Sequence, residues 1–343
     1  MGDRRGTGAE RQTGGRHQRV HHRLPADAAA EVETSTGGAA DGAPSRHDHP
    51  HHRFSLIDTL EERIEHGLHE PVFQRDPAFI ETVVPLLEAT RRYFDAEVRG
   101  IDRFPASGPF LVVGNHSGGI WMPDVYAFLL AWYRARGTEA PLYSLGFDFL
   151  FSLPGVRSMA RRMGTIPASQ ENAAKALEAG APVVVYPGGD TEDYRPWTDR
   201  HRIELHGRKG FVRLALRYGV PVYPMVAHGS HDAIFVLTRG DNLARAVGFD
   251  RLRINIFPFV AGPPWGIAPV QLPTLPMPAK VTVKVCEPLD WSGFGPEAAT
   301  DEAVVQHCYE EILGRMQATM DELVAERPHP IASRIRTALP FVR

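Results

Sequence analysis

One histidine and one aspartate carry the clearest chemical signal in the chain. An apolar run at residues 110–113 ends in Gly114-Asn115-His116-Ser117-Gly118-Gly119, and Asp124 follows just behind Pro123. An imidazole titrates near neutral pH and suits proton transfer, and a carboxylate can orient it. His116 is therefore the candidate general base and Asp124 its candidate partner. On one continuous helix their eight-residue separation would hold the two backbones about 12 Å apart. The pair meets only if residues 118–122 loop out and Pro123 opens a helix beside the histidine. Otherwise Asp124 is a first-turn acid on a helix dipole. Asn115, Ser117, Gly118 and Gly119 flank the base and are candidate substrate-binding positions.

A second cluster lies downstream in Tyr186-Pro187-Gly188-Gly189-Asp190-Thr191-Glu192. Gly188 and Gly189 let backbone N–H groups approach a ligand closely, beside Pro187, while Glu192 can hold a hydroxyl or a neighbouring arginine. Arg208 and Lys209 open a predicted helix, where cations and free N–H groups take phosphate. A pair of charges on a solvated face is the competing reading. Two serines offer a hydrolase alternative, but Ser117 and Ser230 both miss the G-x-S-x-G elbow. His228, His231 and Asp232 lack metal-ligand spacing, and no metal site is expected.

These groups need a scaffold that brings strand ends together. Residues 110–113, 142–146, 163–166, 182–186 and 222–227 read as strands. They alternate with helical or glycine-bearing segments. That rhythm predicts an α/β fold, a mixed but largely parallel sheet flanked by helices, with ligands at the carboxyl ends of its strands. Asp76-Pro77 marks a helix start, and residues 54–68 also carry a helical apolar spacing. Residues 147–163 mix apolar side chains with Arg157, Arg161 and Arg162, which fits a membrane surface or a helix covering the sheet. Residues 252–257 read as a strand, 262–278 as a proline-rich surface loop, 280–286 as a late strand, and 297–326 as a closing helix. The expected domains are a disordered tail at 1–52, N-terminal helices at 53–98, the α/β domain at 99–326 and a C-terminal tail at 327–343.

Composition narrows the function classes. With 343 residues, 43% hydrophobic and 23% charged, the chain is ordinary for a globular protein. A formal net charge of -3, without an aromatic-studded basic stretch, argues against a nucleic-acid partner. Cys286 and Cys308 form neither a CxxC pair nor a metal spacing, which fits a reduced cytoplasmic setting. Residues 1–52 are rich in Gly, Ala, Arg and His and nearly free of large apolar side chains, the signature of disorder. Their histidines read as a flexible polar tail rather than a metal tract. No run of about 18 apolar residues and no apolar h-region is present, so neither a transmembrane helix nor a secretory signal is expected.

The blocks, taken in order, resemble the glycerolipid acyltransferase (PlsC-like) superfamily over roughly residues 98–288. Within it they are most similar to the branch of diacylglycerol acyltransferase type 2 and its transmembrane relatives. The resemblance implies a histidine–aspartate pair, here His116 and Asp124, although the family pattern has four intervening residues and this chain has seven. It also implies an acceptor-binding block at residues 186–192. Where the commoner form has Glu and Arg, Gly188 and Thr191 stand here, as in the neutral-glycerolipid branch. The implied activity moves a fatty acyl group from acyl-CoA or an acyl carrier protein to a lipid hydroxyl. It needs no cofactor and takes place against the inner face of the cell membrane. A serine hydrolase and an inactive lipid-binding protein on the same fold are the alternatives.

Overall fold

The computed structural model describes residues 62–65, 68, 71–247 and 256–338. The expectations for the N-terminal tail, and most of that for the helix at 54–68, lie outside these residues.

Seven strands form the main sheet: β1 (Glu97–Arg99), β2 (Leu111–Gly114), β3 (Tyr143–Gly146), β4 (Thr165–Pro167), β5 (Val183–Val185), β6 (Val222–His228) and β10 (Thr282–Val285). Their order is β1-β10-β6-β2-β5-β3-β4. The five strands from β6 to β4 are mutually parallel, and β10 joins β6 antiparallel. β2 is central, with Leu111 level with Val183 on one side and Val222 on the other. A strand inside a parallel sheet is covered on both faces. The period-two alternation of β2 accordingly sends Leu111 and Val113 into one apolar core, and Phe110 and Val112 into a second.

Helices supply the two covering layers. On the first face lie α4 (Gln170–Glu178), α6 (Gly210–Tyr218) and α8 (Glu302–Glu326). On the second lie α1 (Pro77–Tyr93) and α2 (Pro123–Arg136). Asp76 caps α1 by accepting the Phe79 N–H at 3.0 Å, with Pro77 at the first helical position. Two arginines of α3 (Pro154–Arg162) make contacts within the protein. Arg161 is buried over the Phe151 ring and donates to the Pro71 carbonyl, and Arg162 bonds Asp76 and lies over Phe79.

Three expectations change. The closing helix starts at Glu302, because residues 296–300 wind as a 3₁₀ turn and Asp301 caps α8 through the Ala303 and Val304 amides. The expected C-terminal tail contains helix α9 (Pro330–Ala338), tied back by Arg334, which donates to the Tyr93 and Arg92 carbonyls. The expected loop at 262–278 contributes β9 (Gly266–Pro269) to a second sheet with β7 (Phe235–Thr238) and β8 (Phe259–Gly262). Pro263, Pro264 and Trp265 form the turn between β8 and β9. Of the strand expected at 252–257, residues 256 and 257 are irregular and the rest lie outside the described residues. Between β7 and β8 stands α7 (Asp241–Ala246).

Candidate active site

His116 leaves the carboxyl end of β2, and the chain then loops as its glycines permit. Gly118 (φ 99°) and Gly119 (φ 58°) take left-handed conformations, residues Gly119–Trp121 form one 3₁₀ turn, and Pro123 starts α2. A Cβ on Gly118 would lie 2.5 Å from Pro123 Cδ, too close for any real contact, so this return path requires glycine. It delivers Asp124 to the imidazole, with His116 Nδ1 3.0 Å from Asp124 Oδ2. The seven intervening residues are accommodated by this loop.

Asp124 is buried, and its Oδ2 also receives the Ser117 N–H at 3.4 Å. The His116 side chain keeps 16% exposure, which leaves Nε2 as the ring nitrogen available to a substrate. One face of the ring rests on Tyr186, with centroids 4.9 Å apart.

A short helix, α5 (Gly189–Asp193), brings two further carboxylates beneath the loop. Glu192 is fully buried and accepts the His116 N–H at 3.2 Å and the Glu204 N–H at 3.4 Å. It also pairs with buried Arg195 at 3.8 Å. Of the two roles open to Glu192, it takes the neighbouring arginine, and it also fixes the backbone N–H of the base. Asp193, which the sequence did not single out, accepts the Gly119 N–H at 2.8 Å.

The electrostatics follow from this crowding. Burial pushes the Glu192 carboxyl up to about 7 against Arg195, and that of Asp193 up to about 6 against the attraction of His116. Burial opposes a charge on His116, but Asp193, then Asp124 and Glu192, outweigh it and hold the imidazole up, to about 9. A base works only when deprotonated, so kcat/KM should climb through the alkaline range instead of levelling near 7. Asp193→Asn removes the strongest of these charges. The acidic limb of the kcat/KM profile, recorded from pH 6 to 10, should therefore move to lower pH. An unmoved limb would remove Asp193 from this role.

The remaining sequence candidates separate. Asn115 is fully buried. Its amide donates to the Ala227 carbonyl at 3.0 Å and accepts the Ala227 N–H at 2.7 Å, so it fastens β2 to β6. Asn115→Ala strands both Ala227 groups and should lower unfolding stability by about 1–3 kcal/mol, read by urea titration. Ser117 and Ser230 are buried, and neither hydroxyl bonds His116, which argues against a serine nucleophile. Gly188 leaves room for the Glu192 carboxyl, which an added Cβ would overlap. Gly189 (φ 58°) turns the chain under Arg208, whose Nη1 donates to the Pro187 carbonyl at 2.9 Å. Arg208 thus stays exposed beside the glycine turn. Lys209 does not join it, being paired with Glu302, which also binds Arg213.

The histidines near β6 form no metal cluster among the described residues. His228 donates to the Arg327 carbonyl at 2.9 Å. Asp232 accepts the Trp197 indole N–H at 3.2 Å. His231 Nε2 takes an Arg195 N–H at 3.0 Å, with its charged form suppressed by burial and by that arginine. Sequence reasoning missed Asp193, Arg195, His231 and Tyr186 as supports of the base. Only the adjacency of Glu192 and Asp193 on one short helical turn could have flagged any of them.

Residues 95–228 match the family model described as Acyltransferase. That span runs to the last residue of β6 and contains His116, Asp124, Glu192, Asp193 and Arg208. An uncharacterized protein of Mycobacterium tuberculosis is 30% identical over 258 residues, covering 74% of this chain and 69% of its own length. The "DGAT1/2-independent enzyme synthesizing storage lipids" of Gallus gallus is 26% identical over 178 residues, 52% of this chain and 50% of that protein. Human 2-acylglycerol O-acyltransferase 3 is 36% identical over 86 residues, 24% of this chain and 25% of that protein. A parallel sheet with a histidine–aspartate pair at its carboxyl edge, inside a matched acyltransferase span, makes this chain a member of the glycerolipid acyltransferase superfamily.

Proposed function

We propose that this protein transfers a fatty acyl group from acyl-CoA, or an acyl carrier protein, directly to a hydroxyl of a neutral glycerolipid. The observation that carries this is the 3.0 Å contact between Asp124 and a His116 that still reaches solvent. Asp124 holds the proton on Nδ1, so Nε2 is free to take the acceptor's hydroxyl proton. The hydroxyl oxygen then attacks the thioester carbonyl, and a tetrahedral intermediate forms. When it collapses the C–S bond breaks, and the imidazolium returns its proton to the departing thiolate. The product is an ester, and no acyl-enzyme is needed.

Two features favour a neutral acceptor. Thr191 stands where the commoner acceptor block has its arginine, and the Gallus gallus relative is named for storage-lipid synthesis. Arg208, exposed beside the glycine turn, is the candidate contact for a phosphate of the donor carrier. The reaction takes place at the inner face of the cell membrane, where a water-soluble donor meets a lipid acceptor. Among the described residues no helix is long and apolar enough to cross a membrane.

Lipid profiling of cells overexpressing wild type or His116→Ala tests the substrate class. Wild type should raise triacylglycerol or another neutral ester, and the variant should not. A rise confined to phosphatidate would overturn the neutral acceptor.

A further inference from the structure

We propose that Arg195, oriented by His231, is a positioning residue that holds the backbone of His116 in register through Glu192. This role rests on the reading of His116 as the base. Three adjacent strands, β5, β2 and β6, are each followed by one part of a buried relay. Glu192 lies on α5, which follows β5, and Arg195 comes just after that helix. His231 lies in the 3₁₀ turn Ser230–Asp232, which follows β6. His116, beyond the end of β2, stands between them.

Each link has a defined geometry. Arg195 Nη2 donates to His231 Nε2 at 3.0 Å, and Arg195 Nη1 stands 3.8 Å from Glu192 Oε1. Glu192 Oε2 accepts the His116 N–H at 3.2 Å. Glu192, Arg195 and His231 are 0%, 1% and 4% exposed, so water screens these charges little. The Arg195 N–H also donates to the Glu192 carbonyl at 3.2 Å, which fixes the two residues to one turn.

The charges explain why the relay has these members. A carboxyl buried without a cation takes up a proton and becomes a weaker acceptor. Burial acts on Glu192 in that direction, and Arg195 is the strongest group opposing it. Among the described residues Arg195 is the one arginine or lysine within ion-pair reach of Glu192, and Glu192 the one carboxylate within reach of Arg195. His231 completes the set as a neutral acceptor, because burial and then Arg195 suppress its charged form. It orients the guanidinium without offering a second negative charge, so the cation stays directed at Glu192. An acid at position 231 would divide it. With Oε1 turned to Arg195 and taking the Glu204 N–H at 3.4 Å, Oε2 is left to hold His116. A Cβ on Gly188 would come within 2.1 Å of that oxygen, so glycine makes the room.

The test combines steady-state thiol release with hydrogen exchange at the His116 amide, followed in full-length protein carrying isotopically labelled histidine. Arg195→Met should lower kcat about ten- to a hundredfold, the cost of a small displacement of the base, with KM for the thioester unchanged. The His116 amide should exchange about tenfold faster in that variant. If Arg195→Met does not fold, His231→Leu replaces it, since it keeps the ion pair and removes only the acceptor that orients it. His231→Leu should show the same division between kcat and KM. His231→Gln retains an acceptor and should restore most of the loss. The proposal is overturned if Arg195→Met and His231→Leu keep wild-type kcat or wild-type exchange. It is overturned equally if the loss falls in KM, or if His231→Gln is as impaired as His231→Leu. Exchange needs no turnover. A His116 amide protected through Arg195 in a wild type that releases no thiol would remove the enzymatic reading and leave the relay standing.

Discussion

His116→Gln should lower kcat by about a hundred- to ten-thousandfold, the usual contribution of a positioned general base. KM for the thioester should change little. The substitution keeps the backbone N–H that Glu192 accepts and a side chain of similar bulk beside Tyr186. Fold and donor binding are therefore preserved, and only proton abstraction is removed. Steady-state thiol release, with thermal unfolding as the control, checks this. A variant of unchanged melting temperature and wild-type kcat would show that the alcohol loses its proton elsewhere.

Asp124→Asn should cost about as much, about a hundred- to ten-thousandfold in kcat/KM, for a different reason. Asp124 Oδ2 sits 3.0 Å from Nδ1 and requires a proton there. An amide can present an N–H to that nitrogen and drive the proton onto Nε2, where it blocks the base. Removing the carboxylate also removes a charge that holds the imidazole cationic. The acidic limb should therefore move down while the plateau stays low, and raising the pH should not restore activity. Profiles of kcat/KM for both proteins from pH 6 to 10 separate this from a simple pKa change, which would restore the plateau.

Much of the site was legible because its constraints are local. Gly118, Gly119 and Pro123 imply a looped return from His116 to Asp124, and that return is present. The β-branched run at Val183–Val185 and the apolar run before Gly114 became the neighbouring central strands β5 and β2. Asp76 before Pro77 opens α1 as read.

What stayed hidden depends on tertiary partners. The tie that Asn115 makes between β2 and β6 was hidden, because nothing in the sequence says that β6 runs alongside and offers the Ala227 amide and carbonyl. Lys209 looked free until α8 brought Glu302 across. Asp193 gains its role from an amide 74 positions away in the chain. The small second sheet escaped detection because β7, β8 and β9 do not alternate apolar with polar residues, and that alternation is the signal by which strands are recognised.

Direct transfer is tested most immediately by mixing the enzyme with radiolabelled acyl-CoA and quenching within the first turnover, with and without diacylglycerol. Proton abstraction by His116 predicts thiol release only when the alcohol is present, no label on the protein, full activity in Ser117→Ala and, in His116→Gln, release slowed about a hundred- to ten-thousandfold. A burst of thiol without acceptor, label retained on the chain, or an inactive Ser117→Ala would contradict it.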